Sequence, residues 1–165
     1  MPPESEPEAT IVDYSRDYGD AFERLNVEWL EKYFELEPID KEILADPERH
    51  ILDQGGVILY ACLGSEAVGT VALKHDCAGV FELTKMAVTE TCQGLGLGRQ
   101  LLCAAIDRFR QMAGKTLYLE SNSALTPALT LYESAGFEHA SRTSPSDYQR
   151  SDVYMVYRGD HAPTS

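Results

Sequence analysis

The sequence predicts an α/β (α+β) domain built around one mixed β-sheet. Three observations predict this fold: β-rich runs dominate the middle of the chain, apolar stripes with helical spacing lie before, between and after them, and a glycine-rich turn joins a strand to a helix. The chain has 165 residues, of which 44% are hydrophobic and 25% charged, which is enough to bury one core. We therefore expect a single domain.

The expected domain covers residues 10–158. Residues 1–9 are acidic and proline-rich, and neither they nor residues 159–165 show apolar periodicity. We therefore expect a disordered acidic tail before the domain and a loose tail after it.

The first third of the chain predicts one strand and two helices. Residues 10–15 favour a short strand. The stretch that follows places four apolar side chains on one helical face, at three- and four-residue steps: Phe22, Leu25, Trp29 and Tyr33. Between Pro38 and Pro47, residues 41–45 favour a second, short helix.

The middle of the chain changes to strands. Residues 57–63 and 67–74 are rich in β-branched residues and are joined by the Gly-Ser-Glu of residues 64–66, which is typical of an antiparallel hairpin. A third strand is predicted over residues 80–88, after Gly79. An apolar helical stripe then predicts a helix over residues 101–112.

The last third alternates strand and helix. Residues 116–120 predict a strand. Thr126 and Pro127 are typical of N-cap and first helical positions, so they predict a helix over residues 128–135 that Gly136 ends. Two last strands complete the sheet, at residues 137–142 and 153–158.

Charge and composition exclude several classes of protein. The formal net charge of −13 disfavours binding to nucleic acid or to anionic membranes, both of which need a basic face. The sequence contains no apolar run of 18 residues, and its acidic start does not resemble a signal peptide, so we expect a cytoplasmic protein without a membrane span. The four cysteines are far apart and form no CxxC pair, so we expect free thiols and no metal site.

The charge is unevenly distributed along the chain. Residues 1–53 hold sixteen acidic and five basic residues, whereas residues 74–115 hold six basic and four acidic ones. The acidic segment could attract a cationic ligand or serve only as a solubilising surface. The middle of the chain is suited to an anionic ligand.

A glycine-rich turn, from Gln93 to Arg99, follows the strand of residues 80–88. Glycines let the main chain approach a ligand closely, and the first turn of a helix offers unpaired N–H groups at its positive end. Together these features predict an anion-binding cradle to which Arg99 adds a charge.

The spacing within this turn separates the alternatives. A P-loop requires Lys-Ser/Thr after its last glycine, where this chain has Arg99 and Gln100. A dinucleotide fingerprint requires GxGxxG after a first strand, and the chain has GxGxG after several strands. The pattern Q/RxxGxG/A is satisfied by Gln93, Gly96 and Gly98. A flexible turn without a ligand stays open.

With this pattern, the chain resembles the GNAT N-acetyltransferase superfamily. A second segment supports the resemblance, since residues 128–137 (ALTLYESAGF) are similar to the AxxLYxxxGF pattern of that family. The resemblance covers residues 10–158 and implies a mostly antiparallel central sheet flanked by helices. It also implies acetyl-coenzyme A as cosubstrate and a primary amine of a small molecule, a peptide or a lysine as acceptor.

The resemblance implies a set of cofactor-binding positions. The main chain of Met86, Ala87 and Val88 would meet the pantetheine arm, and Asn122 would hydrogen-bond it. The pyrophosphate would be received by the turn, that is by Gln93, Gly94, Leu95, Gly96, Leu97, Gly98 and Arg99. Tyr132 would contact the coenzyme A sulfur.

Two side chains are candidates for the chemistry. Tyr132 resembles the tyrosine that protonates the departing thiolate, although its spacing alone would also suit a packed aromatic. Glu82 lies within an apolar strand, where alternation predicts a common face with Thr84, Met86 and Val88. Glu82 is a general base or a structural carboxylate, and Glu120 is a reserve candidate.

The acceptor is the largest unknown. Trp29, Tyr33 and Phe34, beside the acids Glu28, Glu31 and Glu35, could line its entrance or form only the buried stripe of a helix. An acetyl-cysteine intermediate on Cys92 is not expected. A non-catalytic acyl-coenzyme A sensor and a nucleotide-binding domain are the rival functions, and a homodimer is one open alternative.

Overall fold

The computed structural model describes residues 9–142 and 144–159. The predicted tails lie outside the described residues, except for Ala9 and Gly159. Cys62, Cys77, Cys92 and Cys103 are all free, as expected.

Seven strands form one sheet in the described residues. They are β1 (Thr10–Asp13), β2 (Val57–Leu63), β3 (Glu66–Cys77), β4 (Val80–Val88), β5 (Thr116–Ser121), β6 (Phe137–His139) and β7 (Val153–Tyr157). Their order across the sheet is β1-β2-β3-β4-β5-β7-β6, and only the β4–β5 pair is parallel. The predicted mixed, mostly antiparallel sheet is confirmed.

Helices cover both faces of this sheet. They are α1 (Ala21–Tyr33), α2 (Pro38–Ala45), α3 (Leu97–Gln111) and α4 (Thr126–Ser134), with short helical turns at Arg16–Tyr18, Glu48–Leu52 and Glu90–Cys92. The apolar residues of α1 and α2 pack on one face, and those of α3 and α4 pack on the other. This two-sided packing gives the sheet a buried core on each face.

Three helix starts differ from their predictions. Helix α2 begins at Pro38, three residues earlier than predicted. Helix α3 begins at Leu97, four residues earlier than predicted, because the glycine turn itself supplies its first turn. Thr126 is not the N-cap of α4, as Leu125 holds that position and its carbonyl accepts the N–H of Leu129 at 3.0 Å. Gly136, at φ +108°, ends α4 as predicted.

Strand β4 contains a bulge. Between regular pairs on either side, Val71 of β3 faces two residues of β4, Lys85 and Met86. Lys85 has φ +55°, in the left-handed region that non-glycine residues adopt at a cost. The surrounding contacts must therefore hold this conformation in place.

The bulge changes the face on which side chains emerge. Met86 and Val88 pack against the cluster of α3, whereas Glu82 lies between two residues of that cluster and faces the opposite side. The expected common face of Glu82, Thr84, Met86 and Val88 is therefore wrong. Strict alternation assumes a regular strand, and the extra residue at the bulge reverses its phase.

Strands β4 and β5 separate after a short contact. They pair at Val80, Phe81 and Glu82 only, although both strands continue beyond this point. The sheet therefore opens into a wedge between the end of β4 and the end of β5. One edge of β4 beyond Glu82 has no strand partner on that side.

A buried ion cluster, formed by Glu37, Asp40, Lys85 and Arg150, lies beside this wedge. The Lys85 Nζ atom is 2.6 Å from Asp40 Oδ1, and their side chains are 3% and 0% exposed. Arg150 donates to both Asp40 oxygens at 2.7 and 2.9 Å and to Glu37 at 3.0 Å. Although burial opposes it, the hydrogen bonds from Arg150 and the charge of Lys85 lower the pKa of Asp40 to about 2.

The substitution Asp40→Asn tests the energetic role of this cluster. It leaves the charges of Lys85 and Arg150 buried without their shared counter-ion, so we expect the free energy of unfolding to fall by about 3–5 kcal/mol in urea titrations. Asp53→Asn is the control, because Asp53 is exposed and no side-chain bond to it occurs within the described residues. Equal effects of the two substitutions would contradict the assigned role.

Candidate active site

Three cavities lie in a row along the wedge between β4 and β5. We call them the groove (about 430 Å³), the chamber (about 90 Å³) and the outer pocket (about 340 Å³). Residues shared by the groove and the chamber are Trp29, Met86 and Tyr132. Residues shared by the chamber and the outer pocket are Glu82, Glu120 and Tyr148. The chamber therefore connects the other two cavities.

The groove brings together all but two of the predicted cofactor-binding residues. Its lining includes Met86, Ala87, Val88, Gln93, Gly94, Gly96, Leu97, Gly98, Arg99 and Tyr132. The side chain of Leu95 is 45% exposed and does not line it. Asn122 lines the chamber instead.

The glycine turn presents main-chain donors to the groove. Gly96, at φ +80°, is the N-cap of α3, and the first helical hydrogen bond runs from Gln100 N to Gly96 O at 3.1 Å. The N–H groups of the first turn therefore have no partner within the helix. A Cβ atom added at Gly96 would meet nothing within 4 Å, so the space before these donors is open. This geometry fits an anion.

Two polar side chains frame the turn. The Gln93 side chain donates to the carbonyl of Val88 at 3.2 Å and so fixes the turn to the end of β4. Arg99 is exposed and donates to Ser134 Oγ at the end of α4, at 3.0 Å. Gln93 thus has a structural bond that the sequence did not suggest, while Arg99 adds a positive charge to the groove.

Tyr132 lies at the junction of the groove and the chamber. Its ring packs edge-on against Phe137, with the ring centroids 6.2 Å apart. No hydrogen bond to its hydroxyl occurs within the part of the chain that is described. Burial raises the pKa of Tyr132 to about 12, so the phenol is protonated at neutral pH and can donate.

The Asn122 amide is engaged at both ends. It donates to the carbonyl of Arg150 at 2.7 Å and accepts the N–H of Ala124 at 2.8 Å. The side chain therefore connects the end of β5 to the segment before β7. Its predicted bond to pantetheine stays a prediction.

Glu82 lies at the opposite end of the chamber from Tyr132. Its residue surface is 7% exposed, and among the described residues nothing donates a hydrogen bond to its carboxylate. Burial and then the charge of Glu120 raise the pKa of Glu82 to about 7, against the opposing effect of Lys74. A carboxyl group that titrates near neutral pH is suited to proton transfer.

Glu120, the reserve candidate, is more constrained than Glu82. It accepts the Ser146 hydroxyl at 2.7 Å, and Arg142 lies 3.6 Å from its other oxygen. These contacts engage both oxygens of Glu120. Glu82 is therefore the freer of the two carboxylates.

The aromatic residues of α1 divide between two cavities. Trp29 and Phe34 line the chamber, whereas Tyr33 is 44% exposed and lines no part of it. The acids Glu28 and Glu31 lie at a separate depression beside the groove. The carboxylates that line the chamber, Glu82 and Glu120, belong to strands of the sheet.

Sequence analysis missed Tyr148 and Arg150. Both line the chamber, and the Tyr148 hydroxyl accepts a hydrogen bond from Lys85 at 3.2 Å. The segment between β6 and β7 that contains them has no apolar periodicity, so no sequence pattern indicated its place. Its position depends on contacts with α2 and β4.

Two features are absent from residues 9–142 and 144–159. That part of the chain has no cluster of three His, Cys, Asp or Glu side chains that could hold a metal ion. It also has no helix with the length and apolar character needed to cross a bilayer.

Comparisons with known proteins agree on one family. The model of the acetyltransferase (GNAT) family matches residues 16–137. The uncharacterized N-acetyltransferase YvbK of Bacillus subtilis is 30% identical over 101 residues, which are 59% of this chain and 65% of that protein. The chain spans less than two thirds of the length of the curated relatives it matches.

Solved structures share the fold. An acetyltransferase of the GNAT family from Staphylococcus aureus superposes with a TM-score of 0.81 at 20% identity, covering 90% of this chain and 98% of that one. A PaiA N-acetyltransferase from Thermoplasma acidophilum, solved in complex with coenzyme A, has a TM-score of 0.69 at 16% identity and covers 91% and 98%. At these identities, the likeness concerns the fold.

The substitution Glu82→Gln tests the environment of this carboxyl group. Folding raises its pKa from 4.5 to about 7, so ionisation costs stability as pH rises through this window. We expect the variant to gain stability relative to the wild type between pH 4.5 and 7, and the difference should level off above pH 7 at about 3 kcal/mol more than its value at low pH.

Unfolding titrations across pH measure this gain. Glu66→Gln, at an exposed position in the β2–β3 hairpin, is the control and should show no such trend. A constant difference between Glu82→Gln and the wild type at every pH would contradict the raised pKa.

Proposed function

Because the chain belongs to the acetyltransferase (GNAT) family, we propose that it transfers the acetyl group of acetyl-coenzyme A directly to a primary amine. The observation that carries this proposal is the row of cavities. An anion-binding groove leads to a chamber with a phenol at one end and a buried carboxyl at the other, and neither group has a hydrogen-bond partner among the described residues.

Acetyl-coenzyme A fits the groove as a cosubstrate. The first-turn N–H groups of α3 and the guanidinium of Arg99 would receive its pyrophosphate. The edge of β4 that has no strand partner in the described residues, from Met86 to Val88, would offer main-chain hydrogen bonds to the pantetheine arm, apart from the Val88 carbonyl, which already accepts the Gln93 side chain. The coenzyme A complex of a relative with the same fold supports this assignment.

The transfer itself needs two proton movements. As the amine nitrogen bonds to the acetyl carbon and the carbon–sulfur bond breaks, the nitrogen loses a proton and the sulfur gains one. We assign the first proton to Glu82, whose pKa of about 7 leaves it partly ionised at neutral pH. We assign the second to Tyr132, whose protonated hydroxyl faces the junction of groove and chamber.

The substitution Gly96→Ala tests the groove. Its methyl group would occupy the space before the N–H donors, so we expect affinity for acetyl-coenzyme A to fall about tenfold or more in calorimetry. We expect that neither ATP nor NAD raises the melting temperature of the wild type or of the variant.

Gly64→Ala is the matched control for Gly96→Ala. Gly64 has a similar φ of +62° and open space around the added Cβ, but it lies in the hairpin between β2 and β3. Both variants therefore carry similar backbone strain. Equal affinity of the two variants for acetyl-coenzyme A would refute the cradle.

The substitution Tyr132→Phe tests the proton donor. It keeps the ring packing and removes the hydroxyl, so we expect kcat to fall by about 10²–10⁴-fold with the affinity for acetyl-coenzyme A within about twofold of the wild type. Thiol release with a panel of amines measures kcat. Tyr14→Phe, on the other side of the sheet, is the control and should retain full activity.

Two results would count against this assignment. Loss of cofactor affinity in parallel with kcat would make Tyr132 a binding residue. Absence of thiol release by the wild type with every amine, together with tight binding of acetyl-coenzyme A, would replace transfer by sensing.

A further inference from the structure

The outer pocket is the approach to the chamber that the groove does not use. It lies beside β3 and β5, is also lined by Arg142 and by residues of the stretch 144–148, and meets the chamber at Glu82 and Glu120. Its volume of about 340 Å³ is in the range of small-molecule sites. With a cosubstrate in the groove, an acceptor in the chamber would extend into this pocket.

The charge of the outer pocket is negative on balance. Its lining contains four carboxylates, Asp76, Glu82, Glu120 and Asp147, and two cations, Lys74 and Arg142. Arg142 is held by the wall, since it lies 3.6 Å from Glu120 and donates to the carbonyl of Val153 at 3.4 Å. Among the described lining residues, Lys74 is then the one cation left to balance the negative charges of Glu82, Asp76 and Asp147.

Glu82 provides the observation that points to a ligand. Glu82 is a buried residue, 7% exposed, and the carboxyl group of such a residue normally accepts hydrogen bonds, because burial without them is costly. In the part of the chain described here, no group donates to it, and it borders both the chamber and the outer pocket. An ammonium group of an acceptor would supply the missing donor.

The remaining wall is aromatic. Tyr118, Tyr148 and Tyr154 line the outer pocket, and the rings of Tyr118 and Tyr154 lie 5.5 Å apart at a tilt of 31°. The faces of Tyr118 and Tyr154 can attract an alkylammonium group, whereas the ring of Tyr148 already contacts Lys85 and Arg150, each 4.6 Å from its centroid. Asp76, which accepts the Tyr118 hydroxyl at 3.1 Å, and the exposed Asp147 carry negative charge at the outer rim.

From this arrangement we propose that the acceptor is a small aliphatic diamine. One amine reaches Glu82 in the chamber, and the second ammonium group lies at the rim, near Asp76 and Asp147. This inference rests on the proposed acetyl transfer and specifies its substrate class. An acceptor with a carboxylate in place of the second ammonium would meet the negative rim.

Three acceptors of matched length test the inference. They are 1,4-diaminobutane, butylamine and 4-aminobutanoate, which differ only in the distal group. We expect kcat/KM for the diamine to exceed that for butylamine about tenfold, and 4-aminobutanoate to be the poorest acceptor. Equal values for the diamine and butylamine, or a preference for 4-aminobutanoate or for a lysine-containing peptide, would overturn the proposal.

The double variant Asp76→Asn, Asp147→Asn locates the second ammonium. We expect the ratio of kcat/KM between diamine and butylamine to fall from about tenfold to under about threefold. Asp107→Asn is the control, because Asp107 is exposed on α3, on the opposite face of the sheet. An unchanged ratio in the double variant would contradict the assigned rim.

Binding measurements separate this inference from the proposed function. Calorimetry with coenzyme A present compares the diamine with butylamine without requiring turnover. Preferred binding of the diamine without acetyl transfer would support the pocket and contradict the transfer. Acetyl transfer to butylamine, without preference for the diamine in binding or turnover, would support the transfer and contradict the pocket.

Discussion

The contact on which the site depends is the buried ion pair between Lys85 and Asp40, 2.6 Å apart. Lys85 occupies a strained bulge position, and its ammonium group loses its hydration in the interior. Asp40 and Tyr148 replace that hydration, and the pair of Arg150 with Glu37 completes the balance of charge. Apolar side chains could fill the same volume at equal stability, so the particular value of the cluster is geometric. It holds α2, β4 and the segment before β7 in one arrangement.

Two of these elements, β4 and the segment before β7, line the chamber, together with residues of α1 and β5. The cluster therefore fixes part of the chamber wall beside the wedge. The bulge reverses the phase of β4, which turns Met86 and Val88 toward α3 while Glu82 faces the other side. The parting of β4 from β5 then leaves main-chain groups and a cavity between them. A regular β4 that paired with β5 along its whole length would have closed this space. It would also have placed Glu82 on the same face as Met86 and Val88, where an acceptor entering from the side opposite the groove would not reach it.

The sequence predicted the order of strands and helices, and it located the glycine turn, Tyr132 and Glu82, because each has a local signal. Periodicity shows strands and helices, and the turn has its own spacing. The bulge has no such signal, since a lysine at positive φ is held only by distant contacts. Asp40 and Lys85 are 45 positions apart, and Asp40 and Arg150 are 110 apart, so their meeting is a property of the fold. For the same reason, the sequence did not indicate Tyr148 as a site residue.

The net charge of −13 also shows why whole-chain charge is a poor guide to a site. The proposed cosubstrate is an anion, yet the groove needs no basic face, because the first-turn N–H groups of α3 and Arg99 act within a few ångströms. Exposed acids elsewhere are screened over about 8–10 Å. At the outer pocket, by contrast, the carboxylates lie in the wall itself, where their charge would favour a cation. One acidic chain can therefore hold an anion and a cation at the two ends of a single row of cavities.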